Sequence, residues 1–394
     1  MKRKKKNGQK KRASALFLRF VVAVIALTLG IACGIIETGA EENETLPEEY
    51  KDFIGSIDGS VADKLPDGVF SDSVSDLSDA AREMTEPAKL LNLLLDILGE
   101  GISAVAPTVA TLLGCLLIAA IVNAFSSNLG SLAHATEICT RLCTFCIISG
   151  TATARVGAFK EYLDSLFAAV SSFLPLCAVS YAMGGNISSA ASSATSLGTV
   201  LTVCEFICTK TVIPVFALCL CLSLTSVFDG FGGQAGGTLS NLIRKWYMRA
   251  LSFVMMLLTG ALGAQSLITS KADNMAMRSA KFAASSFVPV SGGTVSSTLG
   301  TLAASVELLR GSIGTVGIVI IGLMLLPVIV ELALLRLAFS IGGFCASLLG
   351  CSGEARLLSE LDSLYGYLEG VAVLCAVVFV IALGVFASIP TPFS

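Results

Sequence analysis

The chain has 394 residues, of which 54% are hydrophobic and only 14% are charged, and its formal net charge is −3. Soluble globular proteins carry about 25% charged residues, so this composition excludes an ordinary soluble domain and indicates that most of the chain lies in a lipid bilayer. A single histidine, His134, leaves little material for acid–base catalysis or a histidine-based metal site. We therefore expect no enzyme, no cofactor, no metal and no nucleic-acid partner.

The N-terminus has the form of a secretory signal. Residues 2–12 carry eight lysines and arginines, and the apolar run FVVAVIALTLGIACGII follows them, as in the basic and apolar regions of a signal peptide. Cleavage after Ala40 would remove it; an uncleaved signal-anchor is the alternative, and Cys33 gives a faint lipoprotein-like pattern. Residues 1–40 are thus a signal peptide or signal-anchor whose basic end stays in the cytoplasm.

Residues 41–100 form an acidic segment that we expect to be exported. They contain sixteen acidic and four basic residues and no cysteine, which excludes a disulfide framework there. LLNLLLDILGE at 90–100 predicts an amphipathic helix at the membrane interface before the first true span. The remainder is either a solvated linker, which is the simpler interpretation, or a docking arm.

Residues 101–394 form a polytopic transmembrane domain. A spanning helix needs about 20 mostly apolar residues, and several runs meet or approach that length. The fold class is therefore an all-α polytopic membrane protein, with about six to nine membrane segments after the N-terminal signal and a closing helix at 370–389. The runs are 102–125, 142–159, 200–228, 250–268, 313–330 and 371–389.

Two stretches of this domain repeat each other about a hundred residues apart. FAAVSSFLP at 167–175 resembles FAASSFVP at 282–289, and SLGTVLTVCE at 196–205 resembles TLGTLAASVE at 298–307. Such internal repetition predicts a duplicated helical unit, here about 138–230 and 246–350. A third, weaker similarity links 233–253 with 353–373, and both of these read as an amphipathic cytoplasmic helix that leads into a span.

The repeated segments are apolar but rich in serine, glycine and proline. Proline and paired glycines interrupt helices, and irregular backbone is tolerated at membrane depth only inside protein or beside water. Re-entrant or broken helices at matching positions of two halves are typical of transporters; the alternative is that small residues only let helices pack closely. The candidate conduit residues are Pro175, Gly184, Gly185, Glu205, Pro289, Gly292, Gly293 and Glu307.

Three questions stay open from these residues. Glu205 and Glu307 are functional candidates because intramembrane acids are costly, but they could instead pair with Lys210 and Arg310. The repeats could be parallel or inverted, and the distribution of charges does not decide between them. The cysteines with helical spacing, Cys139, Cys143 and Cys146, are interpreted as packing residues, with redox or metal chemistry as the alternative.

The run SAKFAASSFVPVSGGTVSSTLGTLAASVELLRGSIGTVGI at 279–318 resembles the stage III sporulation protein AE family of endospore-forming bacteria, and the likeness extends more loosely from about residue 100 to the C-terminus. The resemblance implies a permease-like, multi-pass protein in the mother-cell membrane that surrounds the forespore. It implies partnership with the other stage III A membrane proteins and, indirectly, with a forespore membrane protein. It carries over no catalytic residues.

Two functions remain in competition. One is a membrane subunit of the mother cell–forespore channel-like or secretion-like complex, in which glutamine should be tolerated at Glu205 and Glu307 while small interface residues should not change. The other is a self-sufficient secondary transporter of a small solute, in which both acids should matter and the purified protein should take up substrate. The resemblance favours the first.

Overall fold

The computed structural model describes residues 46–388, apart from residues 58, 72, 85, 127–132, 184–186, 226–232 and 288–291. For some helical residues, chiefly 276–287 and 292–308, only the backbone is described. The predicted signal segment 1–40 and Cys33 lie outside this part of the chain.

The described residues are almost entirely helical and contain no β-strand, so the prediction of an all-α polytopic membrane protein is confirmed. Six of the helices are long and apolar enough to cross a membrane. The helices are α1 (Glu48–Gly55), α2 (Gly59–Ala62), α3 (Val74–Met84), α4 (Pro87–Ser126), α5 (Ala133–Met183), α6 (Ile187–Ile207), α7 (Ile213–Leu224), α8 (Gly233–Phe287), α9 (Gly292–Leu348) and α10 (Ser352–Ser388). A 3₁₀ turn at Asp67–Phe70 precedes α3, and a π-helical turn at Cys208–Val212 joins α6 to α7.

The acidic segment folds into a small N-terminal module, residues 46–84, and is not a free linker. Phe53 packs edge-on against Phe173 of α5 with ring centroids 5.1 Å apart, and the hydroxyls of Ser56 and Ser172 lie 2.6 Å apart. Inside the module, burial raises the pKa of the Tyr50 phenol above its ordinary value, so the hydroxyl stays protonated and donates to the Val69 carbonyl. The module is thus a docked part of the structure.

The segment at 90–100 is continuous with the first span and is not a separate interfacial helix. Helix α4 begins at Pro87, since proline is well suited to the first helical position, where its missing N–H group has no partner to lose. The closing helix likewise begins earlier than predicted, at Ser352. Gly350, with φ of +79°, supplies the left-handed residue that ends α9 and allows α10 to fold back along it.

Three of the helices that carry the similar segments, α5, α8 and α10, run in the same direction. Phe167 packs on Phe379 and Phe173 on Phe386, so α5 runs parallel to α10. Helix α8 also runs parallel to α10, because Arg244 bonds Glu360 and Tyr247 packs on Tyr367. Of the two orientations that the sequence left open, these helices have the parallel one; whether they arose by duplication stays a prediction.

The most apolar segments lie inside the bundle. Residues 316–325 of α9 and 371–386 of α10 are largely buried against each other and against α5 and α6. The large exposed apolar side chains lie on other helices or in the second half of α9. They include Ile118, Ile121 and Phe125 of α4, Phe253 and Met256 of α8, and Phe344 and Leu348 of α9. An exposed apolar surface of this extent fits contact with lipid.

We expect the docking of the N-terminal module to be detectable by disulfide trapping. In a Ser56→Cys/Ser172→Cys variant the two thiols should form a crosslink on mild oxidation, because the native hydroxyls are in direct contact. Peptide mass spectrometry of the membrane-embedded protein would identify the linked peptides.

The matched control is Ser78→Cys/Ser172→Cys, since the Ser78 hydroxyl is engaged with the Ser75 carbonyl of its own helix. A crosslink of equal yield in the control pair, or none in the first pair, would contradict the docked position of the module.

Candidate functional site

The residues predicted to form a conduit are only partly within the described chain. Pro175 lies inside α5, which continues for two further turns to Met183, so the helix does not break at that proline. One missing backbone hydrogen bond is tolerated because packing on both sides holds the rest of this long helix. Glu205 lies exposed on α6, one turn before the π-helical turn.

The second set of predicted residues can be placed only in outline. Pro289, which lies between α8 and α9 in the chain, is outside the described residues. Gly184 and Gly185, which lie between α5 and α6 in the chain, are also outside them. Gly292 begins α9, with Gly293 next. Glu307 lies within α9, but its side chain is not described. The conduit hypothesis therefore stays a prediction.

A small, mostly apolar cavity with some polar lining residues lies where α5 and α6, which carry the first repeated segment, meet α8 and α10. Its volume is about 30 Å³, and a water molecule needs about 10–15 Å³ of such space. The Gln265 side chain reaches across it toward the Ser192 carbonyl. The cavity thus has room for one or two waters. Its polar lining consists of Tyr181, Ser192, Ser196, Gln265, Ser266 and Thr269.

The strongest chemical feature of the spanning helices is a set of arginine–carboxylate contacts, which we call the charge belt. It consists of Arg155, Arg244, Arg336, Glu331, Glu360, Asp362 and Glu369. Ionised side chains inside a membrane are expensive unless they are paired. Their clustering therefore marks the belt as the candidate functional site.

Arg336 of α9 is the centre of the belt. Its guanidinium bonds Glu369 through Nη1, and its Nε lies 3.4 Å from Oδ1 of Asp362. Both carboxylates belong to α10, two turns apart on one helix face. Gly366 lies between them, and a Cβ at this position would come within 3.0 Å of the Arg336 Cζ atom. The absence of a side chain at residue 366 therefore makes room for the guanidinium.

Arg244 ties α8 to the same helix. It donates to the carboxylate of Glu360 at 3.0 Å, to the Glu360 carbonyl at 3.2 Å and to the Asn241 side chain. Asn241 in turn donates to Glu360, so the glutamate has two partners from α8. Arg244 is only 4% exposed, which makes this a buried, hydrogen-bonded pair.

Arg155 joins three helices. From α5 it bonds Glu331 of α9 and also donates to the backbone carbonyl of Ala104 in α4 at 2.9 Å. The charge belt as a whole therefore connects α4, α5, α8, α9 and α10. Because a buried charge that loses its partner is strongly destabilising, the belt fixes how these helices are aligned.

A second polar seam follows the π-helical turn. Such turns are frequent at functional sites because they free a backbone carbonyl, and here Tyr367 of α10 donates to the Val212 carbonyl at 3.3 Å. Thr211 and Tyr247 share a hydroxyl contact beside it. Cys208 and Cys375 are buried with their sulfurs 3.3 Å apart. The described cysteines are all free thiols.

The alternative role of the cysteines in metal binding gains no support from the described residues. Cys139, Cys143 and Cys146 are exposed on α5, and no group of three His, Cys, Asp or Glu side chains suited to a metal lies within the part of the chain that the structure describes. The expectation that they are packing residues is not supported within the bundle, because their side chains are exposed.

Sequence reasoning missed the charge belt. It concentrated on Glu205 and Glu307 and interpreted 353–373, which carries three of the belt's acids, as an amphipathic cytoplasmic helix. One signal was available: Asp362 and Glu369 are seven residues apart, which places them on one face of a helix. Their arginine partner, however, belongs to another helix, and its register could not be read from the sequence.

One protein family is similar to the chain over most of its length. A family model described as stage III sporulation protein AE matches residues 70–390, from the 3₁₀ turn of the N-terminal module through the last helix. No curated protein and no solved structure matches the chain.

We expect Arg336→Gln to destabilise the protein by about 3–5 kcal/mol, because it removes the guanidinium that bonds Asp362 and the fully buried Glu369. Thermal unfolding in detergent would measure the loss. The triple variant Arg336→Gln/Asp362→Asn/Glu369→Gln should recover most of it, and Lys210→Gln, which changes an exposed lysine, should have no effect. A triple variant as unstable as the single one would show that the charges are not the cause.

We also expect Gly353→Ala to cost about 1–3 kcal/mol, as overpacking commonly does. A Cβ at residue 353 would overlap the guanidinium of Arg141, which is itself only 3% exposed. Gly260→Ala is the control: nothing lies near its added methyl group, so it should be neutral or stabilising by about 0.5–1 kcal/mol. Equal melting temperatures for the two variants would contradict the close contact at Gly353.

Proposed function

Because the chain belongs to the stage III sporulation protein AE family, and is thus a multi-pass membrane protein of sporulation stage III, we propose that it is a structural, permease-like subunit of a channel-like or secretion-like complex. In this proposal the complex lies in the mother-cell membrane around the forespore and contains the other stage III A membrane proteins. A forespore membrane protein would be reached indirectly, across the space between the two membranes.

The observation that carries this proposal is the extent of the family match. It covers all six candidate spans and part of the N-terminal module. The docked module and the charge belt add support, because both favour a rigid scaffold: ion pairs tie α5, α8, α9 and α10 together, α4 is joined through its Ala104 carbonyl, and the module is packed on α5. A scaffold of this kind suits an assembly subunit.

The alternative is a self-sufficient secondary transporter of a small solute. The cavity between α5, α6, α8 and α10 favours it, because Ser196 and Leu197 of the first repeated segment line that cavity. Its volume of about 30 Å³, however, matches water and not a solute. A transporter would have to open the bundle substantially to admit its substrate.

Two experiments on the full-length chain separate these functions. In sporulating cells that carry it as the sole copy, Glu205→Gln and Glu307→Gln should leave the number of heat-resistant spores unchanged. Gly353→Ala, which disturbs helix packing, should reduce it. The purified protein alone, in proteoliposomes, should not accumulate solutes, whereas co-expression with the other stage III A membrane proteins should yield a complex that can be isolated intact.

The opposite pattern would overturn the assembly role. Loss of spores in both glutamine variants, together with solute uptake by the purified protein that the same substitutions abolish, would establish the transporter. Normal spore formation in cells that lack the chain would refute the sporulation role altogether.

A further inference from the structure

Glu369 is the most deeply buried carboxylate of the charge belt. Its exposed fraction is 0%, and it lies in the middle of α10. One carboxylate oxygen, Oε2, accepts a bond from Arg336. The other, Oε1, is buried and has no hydrogen-bond partner. An ionised oxygen in this position would have lost its hydration without replacement, which proteins avoid.

The environment of Glu369 contains one cation and two acids. Arg336 is the cation, and Asp362 is the second acid, with its Oδ1 atom 3.4 Å from the Arg336 Nε. The guanidinium is held in place over Gly366. If both acids were ionised, this cluster would carry one net negative charge within the apolar interior.

The other charged groups of the belt have their own partners. Arg244 of α8 has an electrostatic attraction to Asp362, but its hydrogen bonds go to Glu360 and Asn241. Arg155 of α5 is bonded to Glu331, and on the side of α6, Lys210 is exposed. The neighbouring tyrosines are neutral donors: Tyr247 contacts Thr211, and Tyr367 donates to the Val212 carbonyl. Within the described residues, these pairs leave the excess negative charge with Asp362 and Glu369.

We propose that Glu369 is a proton-binding site, and that at neutral pH it holds a proton on the carboxyl while Arg336 forms its ion pair with Asp362. One proton removes the excess charge, and Oε1, the oxygen without a partner, is the place for it. Loss of the proton returns a second negative charge to the same guanidinium. The protonation state of Glu369 therefore determines whether Arg336 forms an ion pair with Asp362 alone or with both Asp362 and Glu369. This inference rests on the cluster and does not depend on the proposed role in sporulation.

Infrared spectroscopy of the full chain in lipid nanodiscs tests the proposal, because a protonated carboxylic acid has a C=O stretch apart from that of a carboxylate. We expect this band at neutral pH. An ordinary glutamate titrates at about pH 4.3 and would have lost its proton there. The band should shift when the protein is made with glutamate that carries heavy carbon in its side-chain carboxyl. It should disappear in Glu369→Gln.

Two further variants make the result specific. Asp362→Asn removes the excess charge, so the remaining pair of Arg336 and Glu369 should be ionised and the band should be lost although Glu369 is present. Glu331→Gln, which alters a pair with one acid and one arginine, should leave the band unchanged.

Three results would overturn the proposal. The first is the absence of a carboxylic-acid band at neutral pH. The second is a band that does not respond to labelled glutamate, which would place the proton on an aspartate. The third is a band that persists in Glu369→Gln or in Asp362→Asn.

Discussion

The packing of the membrane part depends on a single guanidinium between two carboxylates. Arg336 is half-buried and contacts Asp362 and the fully buried Glu369 of the neighbouring helix, and such a cluster tolerates few arrangements because a misplaced partner leaves a charge without compensation. Apolar side chains would permit α9 and α10 to slide along each other at little cost. The arginine removes that freedom, and the pairs of Arg244 and Arg155 extend the same constraint to α8, α5 and α4.

The fold class could be predicted from hydropathy, but the position of each segment could not. Runs of apolar residues predict helices that avoid water, and the six candidate spans agree with this. A bundle interior and a bilayer are equally apolar, however, so the sequence could not show that 371–386 is core whereas Ile118 and Phe125 of α4 face outward. The docking of the N-terminal module was unpredictable for a related reason: it depends on contacts such as Phe53 with Phe173, which are distant in sequence.

The candidate site was harder to predict than the fold. Proline and paired glycines indicate where a helix could break, but α5 continues through Pro175 because tertiary packing outweighs one missing hydrogen bond. Acids were sought in the repeated segments rich in serine, glycine and proline, whereas the fully buried Glu369 lies in 353–373, which was interpreted as a cytoplasmic helix. Asp362 and Glu369 can be recognised as a site only when Arg336 is known to lie beside them. Gly366, which makes room for the Arg336 side chain, has no recognisable motif around it.

The three longest helices are much longer than a bilayer is thick. Helices α5, α8 and α9 have 51, 55 and 57 residues, or roughly 75–85 Å at 1.5 Å per residue, whereas the hydrocarbon core of a bilayer is about 30 Å thick. A helix of this length that crosses the bilayer upright has more than half of its length beyond the lipid tails. Exposed apolar side chains occur in both halves of the bundle: Phe344 and Leu348 of α9 lie in one half, and Leu267, Ile268 and Met275 of α8 lie in the other, which is the half where the N-terminal module packs. The charge belt holds α8, α9 and α10 together at one level of these long helices, where Glu360, Asp362 and Glu369 lie within three turns of α10.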